Sequence, residues 1–215
     1  PPIYMWKHTT KLLPSKFEEF VQSYFRENYS KIYQRLRFFC QVSPNDDKIN
    51  KISTIRKTEI AKERILFHHI GYGFPTLEQT SIPCFDKKLG IFHNYPIIDL
   101  FKSIQTPSFY VFDCSNAGLA LHALHIASIS CNKSKINSIL TKQQLKTIDW
   151  NDYYCLCASD INENLPACPY LPRDFLTSCI FTPVKIAIIC HILQYYRTTL
   201  VTEKFPMDRF TQISD

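Results

Sequence analysis

The spacing of apolar residues changes several times along the chain, and these changes predict an α/β fold. Aromatic and aliphatic residues recur at helical spacing over residues 17–25, and isoleucines form the apolar stripe of a second helix over residues 49–59. Short apolar runs that end at glycine or another turn residue predict buried strands. These runs occupy residues 64–69, 108–113 and 153–158, and a further aromatic-rich strand is predicted over residues 35–42.

Turn residues and helix start signals fill the intervals between these strands. The predicted elements are a hairpin over residues 80–93, a helix with start signals at Asn94 and Pro96 that runs through Ile104, and a helix over residues 117–129. A short helix follows Pro172, and an amphipathic helix begins at Pro183. The lysine-rich residues 130–148 are typical of a surface excursion. Strands and helices that alternate in this order favour a sheet with helices on both faces.

The composition suits one folded domain that spans residues 1–215. Hydrophobic residues make up 45% of the chain and aromatic residues 14%, enough for a sizeable core, so whole-chain disorder is excluded. The net charge of +6 lies entirely in residues 1–64, which hold 13 Lys and Arg against 7 Asp and Glu. No run of five like charges accompanies this excess, so we interpret it as a solvated basic face rather than a nucleic-acid surface.

The cysteine pattern predicts reduced thiols. The nine cysteines are an odd number, and most fall inside apolar stretches, as Cys179 and Cys190 do. Lys7 and Lys11 interrupt any apolar segment that would resemble a signal peptide. The longest apolar stretch, around residues 184–193, falls well short of the ~20 residues of a membrane span. We therefore expect a cytoplasmic protein without a membrane span.

Glycine is rare, and its positions mark the candidate site. Three of the four glycines, Gly71, Gly73 and Gly118, lie just beyond two predicted core strands. Glycine loosens a fold unless the backbone needs unusual dihedrals or a close approach. Ligands of α/β sheets gather at the carboxyl ends of strands. We therefore expect both glycine sites to line one edge of the sheet, the alternative being two ordinary strand-to-helix turns.

Three segments resemble one known family. Residues 113–118, DCSNAG, resemble the signature of the Raptor N-terminal conserved domain. Residues 63–68, ERILFH, resemble the strand that precedes this family's Gly-His-Gly-Val-Pro motif. The third match is LPRDFLTSC at residues 171–179, which continues into TPVKIA at residues 182–187. The matches follow the family's order and together cover roughly residues 31–200.

This resemblance implies a caspase-like three-layer α/β/α sandwich with a mostly parallel central sheet. Caspases carry their nucleophile within Gln-Ala-Cys-Arg-Gly and a His about 50 residues upstream. The comparable positions here are Tyr72 and Ser115, 43 residues apart. A phenol, with a reference pKa of about 10, cannot serve as the base at neutral pH, and a hydroxyl without a base is a poor nucleophile. Raptor proteins mostly keep the His, so Tyr72 takes this chain further from catalysis, and we predict no enzymatic activity.

An active peptidase would have to use Cys114 as nucleophile, with His68 or His69 as base. Cys114 and Ser115 are neighbours, so their side chains point to opposite faces of an extended segment, and the use of Cys114 requires a bulge or a register change. Histidines within a strand are more often structural than catalytic. The remaining motif residues at the cleft are Gly71, Gly73, Gly118, Asp113 and Asn116, the last two of which are expected to cap the following helix.

The other potential ligand groups are interpreted as structural. Cys155 and Cys157, with Cys168, suggest zinc, but Cys-x-Cys lacks the Cys-x-x-Cys spacing of a zinc knuckle, so buried thiols are favoured. His122 and His125 share a helical face without an evident third ligand. We therefore predict no metal site and no cofactor.

The resemblance also implies a role and partners. Raptor proteins are the substrate-recruiting scaffold of the first target-of-rapamycin kinase complex, and their caspase-like domain helps to present substrates to the kinase. The implied partners are the TOR kinase and its protein substrates, with no nucleic acid. The helical-repeat and propeller regions of the family are absent from this chain. The alternatives are an active caspase-like cysteine peptidase and a general α/β interaction domain unrelated to kinase signalling.

Overall fold

The structure is a computed structural model that describes residues 14–35, 37–41, 44–59, 63–76, 80–86, 90–126, 153–165, 168 and 170–199. The chain divides into two compact units. One unit is Gln41–Leu165, and the other combines Pro1–Cys40 with Pro166–Asp215. The predictions made for residues 127–152 lie outside the described residues.

The elements follow the chain in alternating order. They are α1 (Pro14–Ile32), α2 (Asp46–Thr58), β1 (Ile65–Ile70), β2 (Ser81–Asp86), β3 (Ile91–Pro96), α3 (Ile97–Ile104), β4 (Ser108–Asp113), the helical residues 118–126 (α4), β5 (Tyr153–Cys157), α5 (Phe175–Phe181) and α6 (Pro183–Thr199). The predicted helices and strands of residues 49–59, 64–69, 80–104, 108–113 and 153–158 are confirmed.

A three-stranded parallel sheet organises the unit Gln41–Leu165. Its strand order is β1-β4-β5, so β4 is central. In the register of the sheet, Ile70 pairs with Asp113 and Phe112 pairs with Cys157. Five of the six β4 residues are buried, which is why this strand is a continuous apolar run rather than an alternating one.

Aromatic rings fill the core on one face of this sheet. Tyr110 and Phe112 of β4 are fully buried, and Phe101 of α3 packs edge-on against Tyr110 with 4.7 Å between ring centroids. The Tyr153 hydroxyl donates to the Phe101 carbonyl at 3.2 Å, which satisfies a polar group inside the core. Edge-on aromatic pairs add stability beyond the area they bury. The face therefore joins β4, β5 and α3 into one core.

A buried arginine ties the amino ends of β1 and β4 together. Arg56 of α2 is 1% exposed, although arginine is usually a surface residue. Its guanidinium donates to the carbonyl of Glu63, just before β1, and to the carbonyl of Pro107, just before β4, the latter at 3.3 Å. These bonds compensate part of the cost of burying the cation.

The predicted hairpin strands and the helix after them are present, but the second strand extends to Pro96 and the helix begins at Ile97. Strands β2 and β3 pair in an antiparallel register in which Asp86 faces Ile91. Helix α3 begins directly after β3, and its apolar residues recur at three- and four-residue spacing. Its buried residues are Ile97, Leu100, Phe101 and Ile104. This spacing places one apolar stripe toward the core.

An aromatic cluster holds the second unit together. The rings of Tyr24, Phe25 and Tyr29 on α1 pack edge-on against Phe181 of α5, with centroid distances of 5.9, 5.4 and 4.9 Å. The helical spacing of aromatic residues in α1 thus produces a single packed face. Among the described helices, α1 and α6 included, none is long and apolar enough to cross a membrane.

The strand predicted over residues 35–42 is wrong for the part that the structure describes. Residues 37–41 are irregular and belong to no sheet. The ring of Phe38 lies under the guanidinium of Arg26 on α1, 5.4 Å from its centre. The aromatic ring of Phe38 therefore packs against a helix. β propensity alone cannot distinguish an aromatic segment of this kind from a strand.

Candidate functional site

The loops that follow β1 and β4 meet at the carboxyl edge of the sheet. The Gly71 amide donates to the Asp113 carbonyl at 3.5 Å, and the Phe74 amide donates to the Ser115 carbonyl at 3.2 Å. The Asn116 side-chain amide donates to the Phe74 carbonyl at 2.9 Å. The prediction that the two glycine-containing segments line one edge of the sheet is confirmed.

Gly73 allows this close approach. Its φ is +103°, in the region that side chains rarely adopt. A Cβ atom at this position would lie 2.1 Å from the Ser115 carbonyl oxygen, a backbone atom that cannot swing aside. The first loop can therefore pack on the second only with glycine at position 73.

A third loop, residues 158–165 after β5, closes the site from the other side. The Ser159 hydroxyl donates to the Cys114 carbonyl at 3.0 Å and accepts from the Ala117 amide at 3.1 Å. The Asn116 amide donates to the Glu163 carbonyl at 2.8 Å. The sequence analysis missed this loop, because its contacts join residues more than 40 positions apart. Its one local signal was Ser159, a small polar residue just after a buried strand.

The start of α4 is capped by this third loop. The Gly118 amide donates to the Ser159 carbonyl at 3.0 Å, next to the Ala117 bond already described. Asn116 has a φ of +55°, and its side chain bonds Phe74 instead of the helix amides. The prediction that Asn116 caps α4 is therefore wrong, since Ser159 takes that role. Asp113 lies wholly buried at the end of β4.

Tyr72 and Ser115, the two positions that the sequence predicts to correspond to a caspase dyad, differ in exposure. Tyr72 lies at the tip of the first loop, with its ring fully exposed to solvent. Ser115 is half-buried, and its hydroxyl accepts a hydrogen bond from the Leu165 amide at 3.0 Å. The serine oxygen therefore holds the third loop in place, while the phenol faces outward.

Cys114 is unsuited to nucleophilic attack. Its side chain is fully buried in the core cluster of the sheet. Burial, together with the nearby Cys157 and Asp113, raises the pKa of the Cys114 thiol to about 12. At neutral pH only about one thiol in 100,000 would then be the reactive thiolate.

His68 and His69 are both held neutral in β1. Burial lowers the pKa of each to about 4, and for His68 the neighbouring His69 contributes. The His69 ring stacks on Phe74, with 6.2 Å between centroids, and lies edge-on to Phe112. An imidazole with such a low pKa is a weak base, and these ring contacts give His69 a packing role.

Two comparisons with known proteins bear on this geometry. Residues 1–124 match the family described as the Raptor N-terminal CASPase like domain. The chain belongs to this family. The crystal structure of Chaetomium thermophilum Raptor superimposes with a TM-score of 0.72 at 28% identity, covering 95% of this chain and 18% of that one. The parallel sheet with its helices is therefore a caspase-like α/β fold, as the resemblance implied.

Curated relatives belong to the same family. Regulatory-associated protein of TOR 1 from Arabidopsis thaliana is 30% identical over 187 residues, which cover 86% of this chain and 13% of the relative. Target of rapamycin complex 1 subunit mip1 from Schizosaccharomyces pombe is 26% identical over 193 residues, which cover 88% of this chain and 14% of the relative. The chain thus spans about one seventh or less of the length of these proteins.

The other sulfur and imidazole groups of this Raptor-family domain include Cys157, which lies near Cys114. His122 and His125 of α4 are exposed. Cys155 and Cys157 lie side by side on β5, while Cys168 belongs to the other unit. Among the described residues, no three His, Cys, Asp or Glu side chains come together as metal ligands would.

Proposed function

We propose that this chain is a non-catalytic protein-binding module of a target-of-rapamycin complex, which acts in the cytoplasm and helps to position protein substrates for the kinase. Family membership supports the association with such a complex. The relatives named above are a regulatory-associated protein of TOR and a subunit of target of rapamycin complex 1.

The observation that carries the non-catalytic part is that several polar groups of the site already bond to the protein itself. The Ser115 hydroxyl accepts from the Leu165 amide, and the Ser115 carbonyl accepts from the Phe74 amide. The amides of Asn116, Ala117 and Gly118 also have protein acceptors. Amides engaged in this way are not available to stabilise an oxyanion, which acyl transfer requires.

An exposed aromatic ring at the mouth of the site supports a binding role. Tyr72 presents its whole side chain to solvent, beside the loop contacts that make the edge rigid. Exposed tyrosines on rigid loops are suited to protein recognition, because a large ring is ordered at a low entropic cost. We assign Tyr72 to contact with the substrate protein.

The test uses the full-length protein in its kinase complex. Tyr72→Ala is expected to lower the rate of substrate phosphorylation about tenfold, the loss of one aromatic contact worth 1–2 kcal/mol, while the kinase still co-purifies. Tyr170→Ala is the matched control, since Tyr170 is an exposed tyrosine of the other unit. Failure of the kinase to co-purify with the unaltered protein would refute the association. An unchanged rate with Tyr72→Ala would refute the role of Tyr72.

A further inference from the structure

Two thiols on β5 lie close together, and one of them, Cys157, is near Cys114 of the candidate site. The sulfur atoms of Cys155 and Cys157 are 3.6 Å apart. The residues alternate on one strand and therefore share a face. In the sheet register they pair with Tyr110 and Phe112, so this is the face that carries the aromatic core. Both thiols are half-buried, and small solutes therefore have some access to them.

The two sulfurs can join only if the end of β5 contracts, because a disulfide needs Cβ atoms about 3.5–4.5 Å apart. Residues two apart in a strand are separated by about 6.6 Å at Cα, close to the upper end of the 4.4–6.8 Å range that disulfides bridge. The sulfur atoms must close from 3.6 Å to a bond length of about 2.05 Å, and this draws together the Cβ atoms of the extended strand. A disulfide near the limit of its geometry is strained and readily reduced.

The surroundings of the pair favour one thiolate. The hydrogen bond that joins the two sulfurs and one from the backbone of Leu121 in α4 lower the pKa of the Cys157 thiol, although burial acts in the opposite direction. The pKa of Cys155 is raised, chiefly by its hydrogen bond to Cys157 and then by burial. The pair therefore has one sulfur suited to attack an oxidant and one that keeps its proton until the second step.

We propose that Cys155 and Cys157 form a reversible redox site that is oxidised by a peroxide. The Cys157 thiolate attacks one oxygen of hydrogen peroxide, which breaks the O–O bond and gives a sulfenic acid and hydroxide. The Cys155 sulfur then attacks the Cys157 sulfur and displaces the sulfenic hydroxyl, which leaves as water with the Cys155 thiol proton. The hydroxide of the first step takes up the proton that Cys157 released on ionisation. In total, two thiols and one peroxide give one disulfide and two waters.

The backbone that follows Cys157 links the two cysteines to the candidate site. The Ala158 amide, next after Cys157, donates to the Phe112 carbonyl at 2.9 Å. Ser159 follows, and it holds both the Cys114 carbonyl and the start of α4. A disulfide that tightens the end of β5 therefore pulls on the residue that anchors the third loop.

The test treats the folded chain with hydrogen peroxide, blocks the remaining thiols with N-ethylmaleimide and maps the cysteines by mass spectrometry. We expect the peptide that carries Cys155 and Cys157 to be two hydrogens lighter and unlabelled, and dithiothreitol to reverse this. Cys190, a half-buried cysteine of the other unit, is the control and should keep its maleimide.

Single variants distinguish the roles of the two cysteines. In Cys155→Ser, a dimedone probe should trap a sulfenic acid at Cys157; in Cys157→Ser, Cys155 should show none. Circular dichroism of each variant checks that the fold is retained. Maleimide on both cysteines after peroxide treatment, sulfonic acid without a disulfide, or a Cys114–Cys157 bond in place of the proposed one would each overturn the proposal.

Discussion

Gly73 combines a backbone dihedral and a close contact that both require glycine. The positive φ alone costs any other residue about 1–2 kcal/mol, and the Ser115 carbonyl stands where a Cβ atom would be. We expect Gly73→Ala to lower the free energy of unfolding by about 3 kcal/mol, measured by urea denaturation.

Gly90 provides the matched control for this prediction. It also has a positive φ, of +67°, but a Cβ atom there would meet nothing within 4 Å. Gly90→Ala should therefore cost only the dihedral term of about 1 kcal/mol. Equal losses for the two variants would show that the contact with Ser115 contributes nothing.

The buried imidazole of His69 makes stability depend on pH. Its pKa is about 4 in the folded chain, against an ordinary value of about 6.5 when unfolded. Between these values the unfolded chain binds a proton that the folded chain does not, so the free energy of unfolding should fall as the pH falls from 6.5 toward 4. The slope is at most about 1.4 kcal/mol per pH unit for this group.

Denaturation curves at pH 7, 6 and 5 check this expectation. His69→Phe keeps a ring against Phe74 and Phe112 but cannot titrate, so its stability should fall less between pH 7 and 5 than that of the unaltered chain. His122→Gln, at an exposed position of α4, should keep the full dependence. The same slope in His69→Phe would exclude His69 as its source.

At the scale of elements, the helices and strands that could be predicted from the sequence are those marked by patterns of neighbouring residues. The core strands β1, β4 and β5 are apolar runs bounded by turn residues, and the glycines after the first two indicated the edge where the site lies. The cap of α4 could not be predicted in this way. It comes from Ser159, 42 residues from Ala117, and only the order of strands in the sheet brings the two together.

Ser159 couples the third loop to the start of α4. Ser159→Ala removes one bond to the start of α4 and one to the Cys114 carbonyl. The loss should lower the free energy of unfolding by about 1–2 kcal/mol and speed hydrogen exchange at the Ala117 amide. Ser30→Ala, at an exposed position of α1, should stay within about 0.5 kcal/mol of the unaltered chain. Unchanged protection of Ala117 would show that Ser159 does not hold the helix.

At the scale of the whole molecule, the same contacts bear on the proposed non-catalytic role. The carboxyl edge of the sheet is where α/β proteins bind ligands, and here three loops bond to one another across it. The chain spans 13–14% of the relatives named above. The proposed recognition role agrees with this bonded edge, with the exposed ring of Tyr72 and with the burial of Cys114.

The strongest test of this view is the reactivity of Cys114 in the folded chain. A peptide fluoromethylketone needs a thiolate at an open cleft, whereas this thiol is fully buried and its pKa is about 12. We expect no labelling of Cys114 at neutral pH, and labelling by iodoacetamide only after unfolding in urea. Cys190, half-buried in the other unit, should react with iodoacetamide before urea is added. Stoichiometric labelling of Cys114 by the probe, lost in His69→Gln or in His68→Gln, would establish a working thiol–imidazole pair and overturn the non-catalytic assignment.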